Sequence, residues 1–134
     1  CGRIQFLILP PLKFVVHCHC SMCRQAHGAA YVTWLGCVKH QLTISKGEDS
    51  IKSYESSPGA RRSFCSHCGS PLFFEAPRWP GEIHIARAQI QSSIDNLPSG
   101  HYFFDDHVEW ADITDRLPRF GGPTGTEPLK VEES

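Results

Sequence analysis

Two clusters of cysteines constrain this sequence more than any other feature. Cys18, Cys20 and Cys23 follow the spacing Cys-x-Cys-x-x-Cys, and Cys65 and Cys68 form a second Cys-x-x-Cys pair. A Cys-x-x-Cys turn lets two thiolates converge on one tetrahedral zinc ion, which accepts soft sulfur ligands. Structural zinc sites commonly have four protein ligands, whereas catalytic sites have three and keep one position open. The first cluster supplies three thiols, one fewer than a closed site needs.

The seven cysteines are an odd number, and their tight spacings argue against a disulfide framework. We therefore expect reduced thiols in a reducing compartment, the cytoplasm. A thioredoxin-like redox role for Cys65 and Cys68 is the weaker interpretation, because no strand–helix–strand pattern surrounds them. Cys37 stands apart from both clusters, and we interpret it as a small buried hydrophobic residue rather than a nucleophile.

Length and charge exclude several classes of protein. The 134 residues fit one domain, predicted over residues 1–119, before a loose tail (120–134) rich in glycine and proline. With 13 basic and 14 acidic side chains, the chain has no electrostatic reason to bind nucleic acid or an anionic membrane. No apolar run approaches the ~20 residues that span a bilayer. The start does not resemble a signal peptide and suggests a domain entered midway.

Short β-rich segments predict a mainly β fold of antiparallel strands with little helix, in which zinc knuckles supplement a small core. One helical turn is predicted between Met22 and His27, ended by Gly28. Trp34, Trp79 and Trp110 are expected in the core, the last of them in a segment that closes it. The predicted strands cover residues 4–9, 13–17, 31–35, 42–45, 50–54, 72–75, 82–86 and 101–104.

A set of ordered motifs resembles the glutathione-dependent formaldehyde-activating enzyme family, which also contains centromere protein V. The resemblance extends from Cys1 to about Pro118. It implies a β-tent fold, two zinc ions and a carbon–sulfur lyase activity, the synthesis of S-(hydroxymethyl)glutathione from glutathione and formaldehyde. The motifs are Cys1-Gly2, Cys18-His19-Cys20-Ser21-Met22-Cys23-Arg24, Gly28-Ala29, Gly47-Glu48, Tyr54-Glu55-Ser56-Ser57, Arg62-Ser63-Phe64-Cys65-Ser66-His67-Cys68-Gly69-Ser70 and Trp110.

The same resemblance implies which residues bind the two metal ions. It assigns a structural zinc to Cys1, Cys65 and Cys68. The family pattern has a further cysteine two positions before Cys1, so this site lacks its fourth thiolate in the present numbering. The resemblance assigns a second, catalytic zinc to Cys18, Cys20 and Cys23.

Two roles are open for a zinc ion on the first cluster. It could hold the glutathione thiol as thiolate, or it could act as a Lewis acid on formaldehyde. Electron donation by three thiolates weakens the Lewis acid, which favours the thiolate role. Arg24, His27 and Arg62 are the predicted substrate-binding residues, the arginines for the carboxylates of glutathione. A structural role for each arginine is an equal alternative, and the favoured one for Arg61.

The histidines near the clusters are expected to support them rather than to bind metal. His17 and His19 lie one residue to either side of Cys18, so in an extended strand they share one face, opposite that of Cys18 and Cys20. This argues against histidine ligands of the same zinc and favours supporting or surface roles. His67, inside the second cluster, is interpreted as an exposed residue.

Other function classes remain open at this stage. The chain could be a zinc-stabilised binding or scaffold domain of the same fold without this activity, or act on another thiol or aldehyde. In the sharpest form of the first alternative, Cys20, Cys23, Cys65 and Cys68 would share one zinc. The 41 residues from Arg24 to Phe64 exceed the ~15–20 between the pairs of a zinc ribbon, which favours two sites.

Overall fold

The structure, a computed structural model, describes residues 1–129, and the chain divides into two compact units. Unit 1 consists of Cys1–Phe14 and Leu35–Ser93, and unit 2 of Val15–Trp34 and the chain from Ile94 onward. One α-helix, α1 (Ser21–His27), lies in unit 2. The strands are β1 (Gln5–Ile8), β2 (Phe14–Cys18), β3 (Val32–Val38), β4 (Leu42–Lys46), β5 (Ile51–Ser57), β6 (Ala60–Cys65), β7 (Pro71–Glu75), β8 (Glu82–Ala86), β9 (His101–Tyr102), β10 (Phe120–Gly121) and β11 (Glu127–Pro128).

Unit 1 is built from antiparallel strands. β5, β6, β7 and β8 are hydrogen-bonded in that order, and β1 pairs with β4. The alternating segment at β8 suggests one buried face, but residues 83–86 are all buried, as expected for a strand inside a sheet. Leu35 and Cys37 are fully buried, so Cys37 packs as the small hydrophobic residue that its sequence context predicts.

Unit 2 contains the first cysteine cluster and the short strand β9, which pairs with the strand that leads into the cluster. β2 and β9 pair in parallel, with His17 opposite His101 and Cys18 opposite Tyr102. This pairing differs from the antiparallel pairs of β1 with β4 and of β5 to β8. The predicted helical turn is α1, and it ends at Gly28, which adopts the left-handed conformation with φ 60°.

Three features of unit 2 differ from the sequence-based expectations. Trp110 is 75% exposed and does not close the core, because residues 107–110 pair with no described strand and the last two of them form a turn. The predicted strand at residues 101–104 ends at Tyr102, since Phe103 has φ 54° and a 3-10 helix begins at Phe104. Within the predicted loose tail, β10 pairs with β11, with Phe120 opposite Pro128 and Gly121 opposite Glu127.

The remainder of the predicted tail, residues 130–134, lies outside the described residues. Mainly antiparallel β structure with little helix is confirmed. Within residues 1–129 no helix has both the length and the apolar character needed to cross a membrane.

Candidate metal centres and their surroundings

Unit 1 brings Cys1, Cys65 and Cys68 together. Their Sγ atoms all lie within 4.8 Å of one another, and those of Cys1 and Cys65 are 3.9 Å apart. Two sulfur ligands at 2.3 Å from a tetrahedral zinc ion are separated by about 3.8 Å. The three thiols therefore fit one zinc ion. Cys65 is buried, whereas Cys1 and Cys68 are exposed.

The local fold at the end of β6 creates this arrangement. The Cys65 N–H donates to the Ser70 carbonyl (2.9 Å), and the Gly69 N–H donates to the Cys65 carbonyl (2.7 Å). Gly69 has φ 80°, a conformation that glycine adopts without steric cost. This closed turn returns Cys68 towards Cys65. A hydrogen bond between Ser70 Oγ and Cys68 Sγ is the main cause that lowers the pKa of Cys68 to about 6, favouring the thiolate that a metal requires.

Unit 2 brings together two thiols of the first cluster, Cys18 and Cys23, with Cys20 between them in the chain. Cys18 ends β2, Cys20 directly precedes α1, and Cys23 lies in its first turn. The Sγ atoms of Cys18 and Cys23 are 3.8 Å apart, the same edge length that a tetrahedral zinc ion imposes. Cys18 and Cys23 are buried, and Cys20 is partly exposed and shares hydrogen bonds with both. The donor set fits a metal ion with soft ligands.

The electrostatics of this trio favour one thiolate. Hydrogen bonding with Cys18, and then with Cys23, lowers the pKa of Cys20, and backbone N–H groups of Cys23 and Met22 at the start of α1 lower it further. Hydrogen bonding with Cys20 is the main cause that raises the pKa of Cys18. These hydrogen bonds favour the thiolate of Cys20 and the protonated thiol of Cys18. A bound cation would take the place of the Cys18 proton.

A buried histidine pair lies beside the cluster and is absent from the sequence-based site. His19 is 1% exposed, and its Nε2 lies 2.8 Å from Nδ1 of His101, which is fully buried. His101 Nε2 in turn lies 2.9 and 3.0 Å from the carboxylate oxygens of Asp115. A surface role is therefore wrong for His19. No local motif marks His101 or Asp115, because the parallel β2–β9 pairing brings them here.

The backbone of His19 is held as firmly as its ring. Its N–H donates to the Tyr102 carbonyl at 2.9 Å, and its carbonyl accepts a hydrogen bond from Arg24 Nε at 3.1 Å. Burial, followed by repulsion from His101, lowers the pKa of His19 to about 4, so the ring is neutral at neutral pH. His17, whose Nδ1 lies 2.8 Å from Thr33 Oγ1, is half-buried.

The predicted substrate-binding residues fall in both units. Arg24 and His27 lie on α1, where the His27 ring packs edge-on against Trp34 with centroids 5.1 Å apart. Arg62 belongs to β6 in unit 1, is 6% exposed, and places its guanidinium 4.7 Å from the centroid of Phe74. The arrangement brings Arg24 to the first cluster. His67 is exposed, as expected.

Comparisons with known proteins agree with this picture. Residues 1–106 match the sequence model of a family described as glutathione-dependent formaldehyde-activating enzyme. A Halomonas elongata protein, provisionally named as such an enzyme, is 32% identical over 124 residues, covering 87% of this chain and 78% of its own length. A crystal structure of a Rhodobacter sphaeroides protein has a TM-score of 0.59 at 20% identity and covers 71% of this chain and 86% of that one. This last likeness shows the fold alone.

Proposed function

Because the chain belongs to the glutathione-dependent formaldehyde-activating enzyme family, we propose that it is a zinc-dependent carbon–sulfur lyase that interconverts glutathione plus formaldehyde and S-(hydroxymethyl)glutathione. The observation that carries the proposal is the trio Cys18, Cys20 and Cys23. Two of its sulfurs are spaced as ligands of a tetrahedral zinc, and its three donors leave the fourth position to a substrate. We place the activity in the cytoplasm, where thiols stay reduced.

Each member of the trio has a role in this proposal. Zinc on Cys18, Cys20 and Cys23 would lower the pKa of a substrate thiol in its open position, giving the thiolate that attacks formaldehyde. Hydrogen bonding favours the thiolate of Cys20, whereas Cys18 would release its proton as the cation binds. In the reaction the thiol sulfur bonds to the carbonyl carbon, the C=O π bond breaks, and the thiol proton ends on the new hydroxyl.

The remaining site residues are assigned to glutathione and to the fold. Arg24 Nε donates a hydrogen bond to the His19 carbonyl, and this contact holds the guanidinium next to the cluster. We assign a carboxylate of glutathione as the ligand of this guanidinium. His27 is the further substrate-binding residue of this proposal, and Arg62, which lies in unit 1, stays a prediction from the sequence. Cys1, Cys65 and Cys68 are assigned a second, structural zinc ion that contributes to the free energy of folding.

The proposal is tested by nuclear magnetic resonance exchange spectroscopy on an equilibrated mixture of glutathione, formaldehyde and their adduct. Thiols add to formaldehyde unaided, so a sample without protein gives the background rate. The zinc-loaded parent should exceed this background, and Cys20→Ser should not. Cys37→Ala, which removes the buried cysteine outside both clusters, is the matched control and should keep the parent rate. Equal rates in the parent, Cys20→Ser and the protein-free sample would refute the activity.

A further inference from the structure

His19 has one ring nitrogen without an assigned partner. Nδ1 is buried and makes no hydrogen bond to any residue in the described part of the chain. Nearly all buried polar atoms are hydrogen-bonded, so this exception on a 1% exposed side chain is a place where a ligand can supply the missing partner. The other nitrogen, Nε2, is engaged with His101 Nδ1 at 2.8 Å.

The hydrogen bonds around the pair decide which nitrogens carry protons. An ionised carboxylate only accepts hydrogen bonds, so the His101 Nε2 that faces Asp115 at 2.9 and 3.0 Å carries a proton. His101 Nδ1, the other nitrogen of that ring, lies 2.8 Å from His19 Nε2 and accepts from the Nε2–H of His19. No acceptor in the described part of the chain lies within hydrogen-bond reach of His19 Nδ1, so nothing there supports a proton on it. His19 Nδ1 is therefore a bare hydrogen-bond acceptor.

We propose that Asp115 and His101 are positioning residues that hold His19 in this tautomer, and that His19 Nδ1 accepts the hydrogen bond of the hydroxyl group on the one-carbon unit of the substrate. The ligand chemistry is that of a small hydroxyl donor, the –CH₂–OH group of the formaldehyde–thiol adduct. This inference rests on the proposed function and adds to it the group that recognises the adduct oxygen.

The surroundings of the His19 ring suit a small donor. The rings of Tyr31 and Phe104 lie with centroids 5.1 Å from it, and His107 stacks on Phe104 at 4.1 Å. A lone acceptor among aromatic side chains has few competing partners, and a 1% exposed ring favours a small donor over a bulky one. The residue also lies between two members of the cysteine trio in the chain, with both backbone groups hydrogen-bonded.

Asp115→Asn reverses the tautomer through geometry that the structure already contains. Asp115 Oδ1 accepts the Leu117 N–H at 3.0 Å, so the asparagine oxygen is held there. Its NH₂ group then occupies the position of Oδ2, 3.0 Å from His101 Nε2, while the amide oxygen, shared with the Leu117 N–H, lies 2.9 Å from the same nitrogen. We expect the NH₂ group to donate to Nε2, because a proton on Nε2 would face it donor to donor. His101 must then donate from Nδ1 to His19 Nε2, and His19 Nδ1 gains the proton. Asp112→Asn, an exposed carboxylate of the same loop, is the matched control.

The first readout is the protonation state of His19. In zinc-loaded, ¹⁵N-histidine protein, long-range proton–nitrogen correlation spectra should show His19 Nδ1 bare in the parent and in Asp112→Asn, and protonated in Asp115→Asn. Since a wrong tautomer removes the acceptor, Asp115→Asn should lose about 10²-fold in the exchange rate with unchanged zinc content. A protonated Nδ1 in the parent, an unaltered tautomer in Asp115→Asn, or a reversed tautomer with the parent rate would each overturn the proposal.

The second readout is ligand binding and does not depend on turnover. The His19 Nδ1 resonance should move when glutathione and formaldehyde are added together, and it should stay in place with S-methylglutathione, which lacks the hydroxyl group. Equal shifts with both ligands, a shift caused by zinc alone, or loss of zinc from Asp115→Asn would overturn the role of Nδ1 as substrate acceptor. If Cys20→Ser and the parent exchange at the same rate, the proposed function fails, while the tautomer and ligand shifts still decide the inference.

Discussion

Acid should destabilise unit 1 through His84, a residue outside both cysteine clusters. The His84 ring is 7% exposed among Phe14, Phe74 and Trp79, and its Nε2 makes no hydrogen bond within residues 1–129. Burial, and then repulsion from Lys13, lowers the pKa of His84 to about 4 from 6.5. The unfolded chain therefore binds a proton at a higher pH than the folded protein does, and stability falls as the pH decreases from 6.5 to 4.

The size of this effect follows from the two pKa values. At 1.36 kcal/mol per pH unit, the full lowering is equivalent to about 3 kcal/mol, of which about 2.5 kcal/mol is lost by pH 4.5. Above pH 6.5 the ring is neutral in both states and contributes no pH dependence. His84→Phe removes the titrating group and keeps an aromatic ring in an aromatic environment, so it should remove this part of the acid sensitivity.

Urea unfolding at pH 7.5 and pH 4.5 measures the effect. Between these pH values the parent should lose about 2–3 kcal/mol more in the free energy of unfolding than His84→Phe. Protonation of carboxylates and release of zinc affect both proteins and cancel in the difference. His40→Phe, at an exposed histidine, should retain the acid sensitivity of the parent. An equal loss of stability in the parent and in His84→Phe would refute the reasoning.

Three further outcomes are expected. Cys68→Ser should lose the unit 1 zinc, and its melting temperature should fall far more than that of Cys20→Ser, which should lose the other zinc and the activity. Metal analysis and calorimetry measure both effects. A larger fall in melting temperature for Cys20→Ser would show that the structural and catalytic roles were exchanged. Leu35→Ala, at a fully buried side chain, should cost about 2–5 kcal/mol by urea unfolding, and a cost near zero would contradict the assigned core. Gly69→Ala should lower the free energy of unfolding by about 1–2 kcal/mol and weaken zinc retention against a chelator, because alanine is strained at the positive φ of Gly69. A Cβ at this position meets no other atom, so the effect would come from the backbone conformation and not from a steric clash. Unchanged zinc retention would show that the turn tolerates alanine.

The family assignment and the mainly β fold could be predicted from the sequence because their signals are local. The Cys-x-x-Cys turn needs only a few residues and a glycine with positive φ, and Gly69 supplies it after Cys68. The end of α1 at Gly28 follows from the same conformational preference. The alternation of apolar and polar residues marks the strands, since side chains point to opposite faces in turn.

The sequence does not reveal how the strands are paired. The expectations that differ from the structure are those that depend on this pairing. Burial on both faces of β8, which encloses His84, depends on its neighbours rather than on its own alternation. Trp110 has the composition of a core residue, yet no described strand pairs with its segment, and it remains exposed. Composition predicts a loose chain from residue 120, and it gives no sign that Phe120–Gly121 pairs with Glu127–Pro128.

The sequence by itself determined the set of metal-binding candidates, since their ligands are close together along the chain. Only the tertiary structure joined His19 to His101, which is 82 residues away, and His101 to Asp115. The physical reason is that hydrogen bonds between distant side chains depend on the register of a parallel strand pair, in which His17 lies opposite His101. Register is set by packing over the whole unit, and no spacing within a short motif specifies it.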